Sequence, residues 1–222
     1  MGSIECGGVL FDLDGVLVDS TPAVARVWHG WAIDHGYDPM EVVRIAHGRR
    51  AIETVELLAP HLDSNAELAE LERRELGDTD GLTVFEGAAR LLASLPADRW
   101  AVVTSATRRL AYQRLRLAGL PVPRKLVSAD EVKLGKPDPA PFLRGAELLG
   151  LRPGDCVVIE DAPFGVEAAH RAGMTAFCST PGRETHCGSS SAMKPSVRPG
   201  HRPASGRTWP PRWTWPGAWR CS

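Results

Sequence analysis

The stretch Gly8-Val9-Leu10-Phe11-Asp12-Leu13-Asp14-Gly15-Val16 decides the fold. Gly8–Leu13 is a short apolar run of the kind that makes a strand buried on both faces, and it ends in Asp-x-Asp-Gly. Four later runs look alike: Trp100–Thr104 (WAVVT), Lys125–Ser128 (KLVS), Cys156–Glu160 (CVVIE) and Thr175–Cys178 (TAFC). Segments of helical periodicity lie between them: Ala88–Leu95, Arg108–Ala118, Ala140–Leu149 stopped by Gly150, and Phe164–Ala172 closed by Gly173. Strands alternating with helices predict a parallel sheet covered on both faces, an α/β, Rossmann-like core.

Between Thr21 and Asp80 the pattern changes. Ala23–His35, Glu41–Ala46, Ala51–Leu58 and Ala66–Leu76 all have helical spacing, with no convincing strand among them. An all-helical block inserted just after the first strand reads as a small cap domain, joined to the sheet through Leu17–Thr21 and Gly77–Phe85. The division expected is 1–18 and 82–180 for the core, 19–81 for the cap and 181–222 for a tail of other character. From Thr180 the text holds seven of the 18 prolines, four of the seven tryptophans, one acid (Glu184) and, of Val, Ile and Leu, Val197 alone. It carries a charge of +6 where residues 1–179 carry −7. Such text predicts disorder or an out-of-frame reading, and the second is preferred because linkers seldom carry four tryptophans between Trp209 and Trp219. A basic aromatic tail that binds single-stranded nucleic acid is the rival.

Composition narrows the class. A formal net charge of −1 over 222 residues points to neither nucleic acid nor an anionic membrane. No apolar run approaches membrane-spanning length and Met1–Gly8 has no basic n-region, so the expected compartment is the cytoplasm. The five cysteines are unevenly spaced and match no zinc pattern, which favours reduced thiols.

Four segments carry chemistry. Residues two apart on an extended segment face the same way, so Asp12 and Asp14 point into one site at the end of the first strand. In an open α/β sheet that is the edge where ligands bind. Paired carboxylates repel unless a cation sits between them, and a hard divalent ion, magnesium above all, fits oxygen donors. Turn formation and helix capping are the plainer uses of the same aspartates. Thr104 and Ser105 follow the next strand, where hydroxyls and a helix start make an anion site, or simply a cap. Gly135-Lys136-Pro137-Asp138-Pro139 is a rigid helix entry that fixes a lysine able to offset phosphate charge. Glu160-Asp161-Ala162-Pro163 again puts acids between a strand and a helix, where unpaired carboxylates need a metal or a lysine. All four lie on one edge of one sheet. Separate plain uses do not account for that coincidence.

In this order, DLDGVLVDS, VVTSAT, LGKPDPAPFL and VIEDAPFGVEAA resemble the four motifs of the haloacid-dehalogenase-like superfamily. The likeness runs from Val9 to Thr180, in the branch with a helical cap after the first motif. Through His47-Gly48-Arg49-Arg50, Trp100-Ala101-Val102 and Asp130-Glu131-Val132-Lys133 the chain is similar to sugar-phosphate and glycerol-phosphate phosphatases. The resemblance implies a hydrolase of small sugar or polyol phosphates in which Asp12 is the nucleophile and forms an aspartyl-phosphate. Asp14 is then the acid and base, and Thr104, the amide of Ser105 and Lys136 bind phosphate. It implies Mg2+ held by Asp12, the Asp14 carbonyl and Asp161, with Glu160 supporting Lys136 or a metal-bound water. Arg50, with Arg49 and His47, is expected to meet the leaving group from the cap; His29 and His35 are given no role. A true haloacid dehalogenase lacks the second aspartate, which is present here. The expected partner is a small phosphorylated metabolite, with no nucleic acid or membrane, and the expected state a monomer. A sugar phosphomutase of the same branch is the alternative, as is a chain disabled by its tail, which stands where the family continues with a further strand and helix.

Overall fold

The computed structural model describes residues 5–179. In chain order these form strands β1 (Gly8–Phe11) and β2 (Val18–Asp19), then helices α1 (Thr21–Asp34), α2 (Pro39–Ala46), α3 (Ala51–Leu58) and α4 (Ser64–Gly77). Strand β3 (Thr83–Val84), helix α5 (Ala88–Ser94), strand β4 (Trp100–Val103) and helix α6 (Arg108–Leu117) follow. The rest is β5 (Leu126–Val127), α7 (Ala140–Leu149), β6 (Cys156–Glu160), α8 (Pro163–Arg171) and β7 (Thr175–Cys178).

Five strands make one parallel sheet in the order β5-β4-β1-β6-β7. The expected α/β class therefore holds. The most continuously apolar strand, β1, takes the centre, and the alternation of its side chains feeds two cores. Val9 and Phe11 pack on one face with Trp100, Val102, Leu92 and Leu115. Leu10 packs on the other with Val103, Phe142, Ala146, Val158 and Ala168. After β1 the chain crosses to β4 on one side and later returns to β6 on the other. That reversal opens a crevice at the C-terminal end of β1, beside Asp12.

Helices α1 to α4 form the cap around their own core of Val27, Trp28, Trp31, Val42, Val55 and Leu71. The Trp31 ring stacks on Tyr37 with centroids 5.6 Å apart, and its Nε1 donates to Glu67 at 2.7 Å. Two helices begin earlier than their apolar spacing predicts, and capping is the reason. Asp38 accepts from the Met40 and Glu41 amides, and Asp63 from those of Asn65 and Ala66. The joints to the sheet are not bare loops: β2 and β3 pair as an antiparallel ribbon, Val18 opposite Val84 and Asp19 opposite Thr83. A pair of two-residue strands is too short to show a period in sequence.

Among the described residues β7 is an edge strand, and Cys6 and Cys156 are free thiols. The tail expectations for 181–222 lie outside the described residues. No helix among the described residues is long and apolar enough to cross a membrane. Leu10 is fully buried between β1's neighbours and α7. Leu10→Ala is expected to lower stability by about 2–5 kcal/mol, read as a shift in the urea unfolding midpoint.

Candidate active site

The C-terminal ends of β1, β4 and β6 and the loop before α7 bring Asp12, Thr104, Glu160, Asp161 and Lys136 together. Lys136 lies beneath the site at 1% exposure. Its Nζ donates to Glu160 Oε1 at 2.6 Å and lies 3.0 Å from Asp12 Oδ1. The other Glu160 oxygen accepts from the Ala162 amide at 2.6 Å, so both oxygens of this buried acid are engaged. Room for it depends on Gly165, because a Cβ there would sit 1.7 Å from Glu160 Oε1. Of the two supporting roles the sequence left open for Glu160, this geometry is that of holding Lys136.

Asp12 is different. The Lys136 ammonium stands 3.0 Å from Asp12 Oδ1 as an ion pair, outside good hydrogen-bond angles, and that buried oxygen has no other donor. One ligand oxygen each from Asp12, Glu160 and Asp161 lies within 4.8 Å of the others. Burial, with repulsion from Glu160 and Asp14, pushes the Asp12 carboxyl up to about 7 against the pull of Lys136. Burial and then the charges of Glu160 and Asp12 push Asp161 up to about 9. Burial alone would lower the Lys136 ammonium, but Asp12 and Glu160 outweigh it and hold it above its ordinary value. A buried oxygen met by a single ammonium amid mutually repelling carboxylates has the chemistry of a hard divalent cation site. Gly15, at φ +78°, lets the chain pass this close: a Cβ there would meet Asp161 Oδ2 at 2.0 Å.

Above the sheet edge, core and cap enclose a cavity of about 280 Å³. Asp12, Asp14, Thr104 and Asp161 line its floor, and Trp28, Val43, Ile52 and Leu68 of the cap line its roof. His47 Nε2 lies 3.6 Å from Asp161 Oδ2, and the Arg49 guanidinium sits 4.2 Å above the Phe164 ring. Both line the cavity. The side chain of Ser105 donates to the Gly48 carbonyl at 3.1 Å, tying the core to the cap.

Arg50 departs from expectation. It lines the cavity, but its guanidinium is already engaged, donating to the Val132 and Lys133 carbonyls at 2.8 and 2.7 Å and to Glu53 at 2.6 Å. The Gly135 amide closes the clamp by donating to Glu53 at 2.8 Å. Main-chain carbonyls took the donors that the sequence reading assigned to substrate. Sequence reasoning also missed Arg114 of α6. Its Nη1 donates to Asp14 Oδ2 at 2.6 Å and its Nη2 to Glu75 Oε2. The signal was present: Arg114 falls in helical phase with buried Leu110, Ala111 and Leu115, a charge on an apolar stripe.

A parallel α/β core, with four strand-end motifs converging on Asp12 under a helical cap, is the architecture of a capped hydrolase. The haloacid dehalogenase-like hydrolase family model matches residues 7–173, and the chain belongs to that family. The chain is 46% identical to hexitol phosphatase A of Escherichia coli over 77% of its length and 81% of the relative's. It is 34% identical to glycerol-1-phosphate phosphohydrolase 2 of Saccharomyces cerevisiae over 77% and 73% of the two chains. A crystal structure of a HAD family hydrolase from Deinococcus radiodurans, with phosphate and sodium bound, aligns at a TM-score of 0.56 and 32% identity. That alignment covers 77% of this chain and 79% of the other. By class the chain is a phosphoric monoester hydrolase.

The raised carboxyls fix the sign of a pH dependence. Between the ordinary value of 3.8 and the folded values of about 7 and about 9, the native protein holds protons that the unfolded chain has released. Without metal, these two groups make stability fall as pH rises through that window, and a divalent cation competes with those protons. The rise in melting temperature on adding millimolar cation is therefore expected to be larger at pH 8.5 than at pH 5.5. Calorimetric scans check it; an equal shift at both values would count against the cation site.

Proposed function

We propose that this chain is a magnesium-dependent phosphatase of small polyol and sugar phosphates, hexitol phosphates first among them, working through an aspartyl-phosphate. The observation that carries the reading is the buried Asp12 carboxylate, met by the Lys136 ammonium and grouped with Asp161, at the floor of the cavity between core and cap. A volume of about 280 Å³ is at the lower end for ligand sites and suits a compact phosphate ester. The hexitol phosphatase and glycerol-phosphate phosphohydrolase relatives support the same class of ester.

In this reading Asp12 attacks phosphorus, the ester P–O bond breaks, and the leaving oxygen takes its proton from Asp14. A water then attacks the aspartyl-phosphate, Asp14 accepts its proton, and the P–O bond to Asp12 breaks to release phosphate. Thr104 and the Ser105 amide hold phosphate oxygens, and Lys136, kept in place by Glu160, offsets their charge. Asp12, Asp161 and the Asp14 main-chain carbonyl would hold Mg2+, which supplies charge neutralisation at the phosphoryl group. Residues 19–81 act as the cap that excludes water, with Arg49 and His47 placed towards the leaving group. We take the protein to act as a cytoplasmic monomer on a free metabolite, without nucleic acid or membrane.

Phosphate release from a panel of hexitol, glycerol, hexose and nucleotide phosphates tests the proposal. Release that requires magnesium, favours the polyol and sugar esters and falls at least about a thousandfold in Asp12→Asn is expected. Bisphosphate-dependent isomerisation with little free phosphate would replace this reading with a phosphomutase. A folded sample with neither activity would leave a non-catalytic chain.

A further inference from the structure

Four side chains from four parts of the fold meet at the seam between cap helix α4 and core helix α6. Asp14 comes from the turn after β1, Ser20 from the cap joint, Glu75 from α4 and Arg114 from α6. Ser20 Oγ donates to Asp14 Oδ1 at 2.5 Å, and Arg114 Nη1 donates to Asp14 Oδ2 at 2.6 Å. Both oxygens of Asp14 are thus held from outside its own loop. The second arm of the Arg114 fork donates to Glu75. The side chains of Arg114 and Glu75 are only 8% and 9% exposed.

A buried guanidinium between two carboxylates adds little net stability over apolar packing of the same volume, so stability does not explain the cluster. Nor does docking of α4, which has its own ties: Gln113 Nε2 donates to the Leu76 carbonyl at 2.8 Å, and Thr107 donates to Glu72. What the cluster does fix is the orientation of Asp14. Arg is suited to that task because its planar fork locks two acceptors at a set angle, which a lysine cannot do.

We propose that Arg114 is the positioning residue for Asp14, and that Glu75 makes this positioning conditional on α4 being seated on the core. The proposal rests on the phosphatase reading, in which Asp14 carries the proton. With α4 lifted, Arg114 loses one of its two anchors and Asp14 is no longer held at a fixed angle. Proton delivery to the leaving oxygen is then confined to the closed cap.

Leaving-group chemistry separates this role from a structural one. When the ester P–O bond of a hexitol phosphate breaks, the alkoxide needs a proton from Asp14. A p-nitrophenolate leaves without one. Single-turnover transfer of phosphate to the enzyme would be followed by rapid quench for both esters, in wild type, Arg114→Gln, Arg114→Lys, Glu75→Gln and Gln113→Ala. For Arg114→Gln and Glu75→Gln, transfer from the hexitol ester is expected to fall about tenfold to a hundredfold, the scale of a misplaced catalytic group. Transfer from p-nitrophenyl phosphate should stay within about twofold, and Arg114→Lys should recover part of the loss. Gln113→Ala, which loosens the seat of α4 without touching Asp14, should show the same dependence on the leaving group to a smaller degree. Equal losses on both esters, or no loss, in Arg114→Gln and Glu75→Gln would overturn the assignment. If Arg114→Gln does not fold, the nearly isosteric Glu75→Gln decides alone. Wild type that transfers phosphate from neither ester would instead bring down the phosphatase reading, and this assignment with it.

Discussion

One buried ammonium organises the site. Lys136 stands at 1% exposure between Glu160, itself fully buried, and Asp12. An isolated charge at that depth would lose its proton or unfold its surroundings. The pairing with Glu160 prevents this, and it also brings the loop before α7 onto the end of β6. The same ammonium stands 3.0 Å from the Asp12 carboxylate, whose buried oxygen makes no hydrogen bond of good geometry. A strand end that satisfied every polar atom would be more stable and chemically inert. This one is neither, and its incompleteness lies at the sheet edge where the topology opens a crevice.

Much of this is written in the sequence, because strand ends are. Asp12, Thr104, Glu160 and Asp161 each follow an apolar run that cannot be read as anything but a buried strand, and parallel strands bring their C-terminal ends to one edge. Lys136 is legible for another reason: the prolines that follow it, Pro137 and Pro139, leave the chain few other shapes. The helical cap shows in the change of period after Thr21. What the sequence hides is which charged groups satisfy one another. Arg50 and Arg49 are adjacent and identical in type, yet one clamps main-chain carbonyls and the other lies over Phe164. Main-chain acceptors leave no trace in composition. Arg114 is hidden among Arg108, Arg109 and Arg116, and helical phase alone distinguishes it.

Besides the Ser105 bond to the Gly48 carbonyl, the cap is fastened to the core at two sides, and both fastenings are polar. At one side Arg50 and Glu53 grip the loop from Val132 to Gly135, next to Lys136. At the other, Glu72, Glu75 and the Leu76 carbonyl meet Thr107, Arg114 and Gln113. Trp28, Trp31, Val42 and Val55 are spent on the cap's own interior, in a cluster separate from both sheet cores.

That division of labour has a mechanical consequence. Apolar surface separated in water costs roughly 25 cal/mol for each Å² exposed, and nothing in water replaces the lost contact. A hydrogen-bonded seam exchanges protein partners for water at a small net change per bond. A cap with a private apolar core and polar fastenings can therefore lift as a body without losing its own structure. The same seam, when closed, places charged groups under low exposure, where their mutual orientation is strongest. Arg114 and Arg50 both cross it, and each grips an element carrying a site residue: the turn of Asp14 and the loop of Lys136. Closing the cap and aligning the floor of the cavity are, in this fold, one event.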